Sequence, residues 1–304
     1  MTWSTIPHLP EKRQELAATS DTSGNIYAFG GGNINANDTD TVYKFSGGSW
    51  STFTSLPEKI SGMVAVSDSN DNFYIIGEGA VSDRFTIWDG SSWSNNETLP
   101  YYASELGAAI DNNDNIYTFG GNNGGPLDNL EKYDGNSWTT LTSMPTSRAA
   151  CRGTIDNNDN LYVAGGEGGV KAFEKWDGSS WTSLTDMPTG RQFPSVESDS
   201  SGNIYVIGGR DTENNNILSD VDKWDGNSWT SFDPLPQARY VSGSCSTSDG
   251  IFIVGGYDTN FDATQTVYKQ GLSLPITIGG DKVKSMAIDG ATVDSLTIDG
   301  DTVF

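Results

Sequence analysis

Four of the seven arginines in the chain, Arg13, Arg148, Arg191 and Arg239, stand three residues after a proline. A guanidinium is a planar fork of donors that matches a carboxylate or sulfate, so four of them at one recurring position point either to recognition of an acidic group or to structural ion pairs with neighbouring acids. Ile60 and Ala103 hold the same position after two further prolines, and Tyr101 and Tyr102 immediately precede the alanine. Phe193 and Tyr240 follow two of the arginines in close succession. Aromatic faces beside hydrogen-bonding groups suit the stacking of sugar rings. With Arg84 and Arg210, placed on loops expected nearby, the candidate ligand-binding set is Arg13, Arg148, Arg191, Arg239, Tyr101, Tyr102, Arg84 and Arg210.

Other chemistries find less support. His8 is the single histidine, which excludes any multi-histidine metal or catalytic cluster. Cys151 and Cys245 are too few for a disulfide framework and read as free, buried thiols. Paired carboxylates for glycoside hydrolysis are compatible with 40 acidic residues, and that abundance singles out no pair. The turns 68–72, 111–115 and 156–160 offer the oxygens calcium takes, but they lack the alternating ligand loop and its distal glutamate. Asx-turn chemistry explains them without metal, so no cofactor is expected and calcium is the one candidate considered. The glycine-rich stretch 120–125 lacks the Lys-Ser/Thr of a phosphate loop. No catalytic or metal-ligating residue is assigned, and the protein is expected not to be an enzyme.

The elements that position these residues are written in a repeat. Trp3, Trp50, Trp93, Trp138, Trp181 and Trp229 recur at intervals of 47, 43, 45, 43 and 48 residues. A proline-containing step follows each, from Leu9-Pro10 to Leu235-Pro236. Glycine pairs keep the same period at Gly30-Gly31, Gly120-Gly121, Gly165-Gly166, Gly208-Gly209 and Gly255-Gly256, with Gly77-Glu78-Gly79 in the second unit. Each closes an apolar run of four such as Leu161-Tyr162-Val163-Ala164, the length of a buried strand. An Asp/Asn turn precedes the run, a second strand such as Phe173–Trp176 follows a variable loop, and an Asp-Gly turn leads into the tryptophan strand. Each unit therefore predicts four antiparallel strands, here a to d, the size of a propeller blade. Lys44, Lys132, Lys175, Lys223 and Lys269 share one position in strand c, which predicts a salt bridge or a stem packed on the neighbouring blade.

The glycine pair after strand b, the aromatic of strand c and the tryptophan of strand d resemble the kelch repeat over residues 1–271. That resemblance implies a propeller and places Arg13, Arg148, Arg191 and Arg239 around the mouth of its central channel. The sixth unit has a strand c at Val267-Tyr268-Lys269 but no tryptophan strand, whereas the chain begins with an orphan one at Thr2-Trp3-Ser4. The expected fold is thus all-β: a six-bladed kelch-like β-propeller over 1–271, closed by the N-terminal strand, with a β-rich tail over 272–304. In the tail the period drops to ten, aligning Ile278-Gly279-Gly280, Ile288-Asp289-Gly290 and Ile298-Asp299-Gly300 as β-hairpins. Such ends look like the C-terminal segments of phage and other prokaryotic-virus structural proteins; the alternative is a small β appendage packed on the ring itself.

Composition narrows the function. With 17 basic against 40 acidic residues the net charge is -23, which opposes binding to nucleic acid or to an anionic membrane. No run of apolar residues is long enough to span a bilayer, and the start of the chain has no secretory-signal pattern. The expectation is a binding module on a virion or other extracellular assembly, cytoplasmic during synthesis. Its loop face takes an acidic or glycan ligand, and residues 276–304 attach it to another assembly protein. The alternatives are an intracellular kelch-type adaptor, for which no accompanying BTB or F-box pattern is present, and a glycan-cleaving enzyme such as a sialidase. The Asp-box turn of sialidases is not matched by turns such as Asp134–Trp138, and the galactose-oxidase type needs two histidines.

Overall fold

The computed structural model describes residues 2–33, 37–77 and 82–271, with the backbone of four two-residue strands between 277 and 302. Six four-stranded antiparallel sheets form a six-bladed β-propeller, and every regular element among the described residues is a strand. Blade four shows the pattern: strand a is Arg152–Ile155, b is Leu161–Ala164, c is Phe173–Trp176 and d is Trp181–Ser183. Closure follows the sequence reading. Trp3–Ile6 pairs with Val267–Gln270 as strand d of blade six, joining the start of the chain to strands formed some 260 residues later. The pairing covers the strand-c edge that would otherwise template association.

The core lies between blades. Six apolar clusters occupy the six interfaces; Phe119, Leu130, Cys151 and Val163, for example, lie between blades three and four. Strand b, in the middle of each sheet, therefore buries both faces, which is why it reads as a continuous apolar run rather than an alternating one. The glycine pair has a packing cause. A Cβ on Gly120 would lie 2.5 Å from the Arg148 carbonyl oxygen, and one on Gly165 would lie 2.5 Å from that of Arg191, both at positive φ.

The a–b turns are Asx-capped. Asp156 Oδ1 accepts the N–H groups of Asn158 and Asn160, while Oδ2 accepts the Asn160 amide and the Tyr162 hydroxyl. The same Asp, Asn and Tyr recur at Asp21, Asp68, Asp111 and Asp199 with their partners. These carboxylates thus face donors. Turns also join hands around the ring: Asp71 receives Thr22, Asp114 receives Ser69, and Asp159 receives Asn112. Of the strand-c lysines, Lys44 and Lys269 form the expected salt bridges, with Asp21 at 3.4 Å and Asp249 at 3.6 Å. All five lie over the strand-b aromatic ring of their own blade, as Lys175 does over Tyr162 at 5.7 Å, because cross-strand partners share a face.

In the tail, Thr277–Ile278 pairs with Asp281–Lys282, and Thr297–Ile298 with Asp301–Thr302. The second ten-residue repeat, and Glu78-Gly79 of blade two, lie outside the described residues.

Candidate functional site

The d–a and b–c connections share one end of the strands, so they converge on one face of the ring. Each blade enters strand a through a residue with left-handed backbone: Glu15, Gly62, Glu105, Ala150, Phe193 and Val241, with φ between 45° and 70°. Only one of the six is glycine. The strain is tied to backbone hydrogen bonds between blades, four of them around this ring of six residues. Glu15 N–H donates to Val241, Gly62 to Glu15, Ala150 to Glu105, and Phe193 to Ala150. This ring rims the central channel, a cavity of about 280 Å³ lined by the six strands a.

The channel is polar. Arg152 lies at its rim, where its guanidinium donates to the carbonyls of Cys151 (2.8 Å) and Leu106 (3.2 Å) and sits 5.1 Å from the Phe193 ring. Desolvation depresses its pKa and raises that of Glu105 nearby. Deeper in, Glu197 accepts a 2.6 Å hydrogen bond from Ser244 Oγ, and burial pushes its carboxyl up to about 7.

Beside the rim, blades five and six carry an aromatic shelf. Tyr240 stacks on Tyr257 with centroids 6.1 Å apart and meets Phe193 and Phe261 edge-on. The Arg210 guanidinium lies 5.3 Å from the Phe261 ring and 6.0 Å from Tyr240. A short hairpin in the b–c loop, Arg210–Asp211 with Asn216–Ile217, sets that arginine, and Asn215 Oδ1 accepts from it. Gln192 Nε2 donates to the Tyr240 hydroxyl, and Tyr257 donates to Glu15. A recess of about 260 Å³ opens against Tyr257 and Phe261, with Lys12, Gln14 and Asn33 as its polar wall. Phe261 remains 45 % exposed. The arrangement offers flat apolar faces, one cation held against them, and amide and carboxylate groups at the edge.

The expected ring of axial guanidinium groups does not form. Arg13, Arg148, Arg191 and Arg239 are 2, 1, 0 and 1 % exposed and lie inside the blade interfaces. Arg148 donates to the carbonyls of Gly165 and Ala172, both at 3.0 Å, and to Glu174 Oε2 at 2.7 Å. Arg191 repeats this with Gly208, Asp220 and Asp222. Arg13 pairs with Glu11 over the Tyr43 ring, and Arg239 lies over the Tyr268 ring at 5.0 Å. The residue before each strand-c lysine supplies the acid or tyrosine that receives the arginine, so the side chains turn inward. Arg84 belongs to strand c of blade two, Ser82–Trp88, where it pairs with Glu58 at 2.5 Å. Tyr101 packs into the interface of blades two and three, while Tyr102 is 57 % exposed.

Of the eight candidates, the structure thus leaves Arg210 beside the shelf and Tyr102 open to solvent, and turns the repeat arginines and Tyr101 inward. Arg152, Tyr257 and Phe261 were missed. Tyr257 and Phe261 lie in a loop whose sequence differs from blade to blade, and Arg152 interrupts a strand-a position held by Ala17, Val64, Gly107, Ser195 and Gly243 elsewhere. That lone cation in an otherwise small or apolar column was the available signal.

Residues 89–270 match the model of the DUF6242 beta propeller domain. No curated protein matches the chain.

Proposed function

The chain belongs to the DUF6242 β-propeller family, and from that premise we propose a non-enzymatic binding module whose mouth face takes a glycan. The observation that carries this reading is the shelf of Tyr240, Tyr257 and Phe261 around Arg210, beside a recess edged by Lys12 and Gln14. Sugar rings present C–H faces that pack on aromatics and hydroxyls that take amide and guanidinium donors. Arg210 and Arg152 add affinity for a carboxylate or sulfate on the sugar. The repeat arginines support the non-enzymatic reading: each of the four is held in its own interface, so they do not converge on one substrate carboxylate. The propeller's glycine pairs and strand-d tryptophans favour a kelch-type repeat, and the ten-residue tail favours display on a virion or extracellular assembly.

An array of sialylated, sulfated, uronate-bearing and neutral glycans tests the site. The intact chain is expected to retain one class, and Arg210→Ala or Phe261→Ala to weaken that binding at least about tenfold, the loss of one anchor contact. Undiminished binding by both variants, or no binding by the intact chain, overturns the reading.

A further inference from the structure

Blade three keeps an acid where its neighbours pair one with arginine, but it has lost the arginine. In blades four and five the guanidinium meets a glycine carbonyl, the carbonyl of the residue just before strand c and a carboxylate, Glu174 or Asp222. The corresponding residues of blade three are Gly120, Asn129 and Glu131, and the arginine position is Ala103, fully buried. The neighbouring blades also carry Val163 and Val206 in strand b where blade three carries Thr118. Polar atoms have been added at this place while the cation was removed.

These groups share one face. Thr118 and Glu131 are cross-strand partners, Asn129 lies two residues from Glu131, and alternation directs all three toward blade two, as it does Ile116 and Tyr133. Tyr101 enters from the preceding d–a segment, with Thr118, Asn129 and Glu131 around its hydroxyl. Thr118 is 0 % and Glu131 6 % exposed. Yet Tyr101 Oη, Thr118 Oγ1, both amide atoms of Asn129 and Glu131 Oε2 have no hydrogen-bond partner. Buried polar groups are otherwise nearly always satisfied, and a carboxylate with one oxygen left unpaired is the costliest to leave so; among the described residues Thr140 is the one side-chain hydrogen-bond partner of Glu131. One tyrosine hydroxyl cannot replace the five donors of a guanidinium.

We propose that the interface of blades two and three holds a small monovalent cation from solution, bound by Glu131, Asn129, Thr118 and Tyr101 in the place that arginine fills in blades four and five. One carboxylate balances one positive charge, and the remaining oxygens are the neutral hard ligands that alkali cations accept. The site lies apart from the mouth and does not depend on the glycan reading.

The test is thermal unfolding of the full chain in sodium, potassium or choline chloride at equal ionic strength, which holds screening of the acidic surface constant. Sodium or potassium should raise the melting temperature by about 2–5 °C over choline, saturably, as expected for a millimolar site. Glu131→Gln should abolish the difference. The double variant Tyr101→Thr/Ala103→Arg, which rebuilds the blade-four arrangement, should abolish it while melting at or above the alkali-bound temperature. Equal melting of the unaltered chain in all three salts overturns the proposal, as does a difference that survives Glu131→Gln.

Discussion

At the scale of single residues, the repeat arginines show how position and role separate. Their spacing was plain in the sequence, and so was the choice between binding an acidic ligand and pairing with neighbouring acids. Which of the two readings holds was not, because spacing within a repeat does not state which way a long side chain turns. Arg148 and Glu174 illustrate the energetic consequence. Both are at most 1 % exposed, so Arg148→Met leaves a buried carboxylate without its partner and should cost about 3–5 kcal/mol in urea unfolding. Arg148→Met combined with Glu174→Met should recover most of that loss, since an apolar pair of similar volume replaces two desolvated charges. Neither change should alter affinity at the mouth. Glu197 behaves oppositely to the surface acids. Burial raises its carboxyl to about 7, whereas an unfolded glutamate titrates near 4.3. Between those values the folded protein holds a proton the unfolded chain has released, so this group's contribution to stability falls as pH rises and is lowest above 7. Glu197→Gln should therefore match the unaltered chain below about pH 4.5 and exceed its stability by about 3 kcal/mol at pH 8. Equal unfolding free energies at pH 8 would show that Glu197 is solvated in the channel.

At the scale of elements, the tryptophan of strand d is the feature the sequence displays most openly, and its structural use is a latch between blades. Trp50 Nε1 donates to the Pro7 carbonyl, Trp181 to Thr142, Trp229 to Thr185, and Trp3 to Asp233, each at 2.8–2.9 Å. Each bond reaches the strand-d segment of the preceding blade. Trp93 and Trp138 occupy the same repeat position, but their Nε1 atoms are buried without a partner. Strand d of blades one and two runs on as Ser49–Ile60 and Trp93–Ala103, with bulges, and these are the strands that lead to the two positions lacking arginine. Where no guanidinium gathers the d–a segment, the strand simply continues along its partner. Trp→Phe separates the two groups. At Trp50, Trp181 or Trp229 it should cost about 1 kcal/mol beyond the loss of ring area, the worth of one hydrogen bond. At Trp93 or Trp138 that extra cost should vanish, because the substitution removes an unsatisfied donor. Denaturant midpoints that fall equally at all five positions would contradict the latch. Blade number, strand order and ring closure were thus legible because each rests on local patterning repeated six times. The aromatic shelf was not, since it is assembled from loops that vary between blades and meet only in the closed ring.

At the scale of the whole molecule, the charge of -23 is distributed by topology. The a–b and c–d turns lie at the end of the strands opposite the mouth and carry the Asx-capping aspartates and those of the Asp-Gly turns. In the latter, the N–H groups of Ser92 and Ser91 hold Asp89 down to about 2, and Asp134, Asp177 and Asp225 are lowered by the same geometry. These four aspartates therefore stay ionised across the physiological range. The mouth, with the four repeat arginines turned inward, presents Arg152, Arg210 and Lys12 beside Glu15 and Glu105. It is a mixed surface rather than a positive one, and long-range attraction of an anion contributes little there. For the glycan ligand proposed above, contact geometry on the shelf would then supply most of the affinity. The tail enters the same argument. The ring is closed by pairing Trp3–Ile6 with Val267–Gln270, so its last sheet is complete before residue 272. Deleting residues 272–304 should therefore leave the melting temperature within about 2 °C, a change of well under 1 kcal/mol for a domain of this size. If the tail attaches the propeller to a larger assembly, the truncated chain should keep its glycan binding in solution and fail to enter that assembly in sedimentation with the assembly's other components. A truncated chain that melts more than about 5 °C lower would make the tail part of the propeller's own fold. One that co-sediments as the full chain does would move the attachment onto the ring.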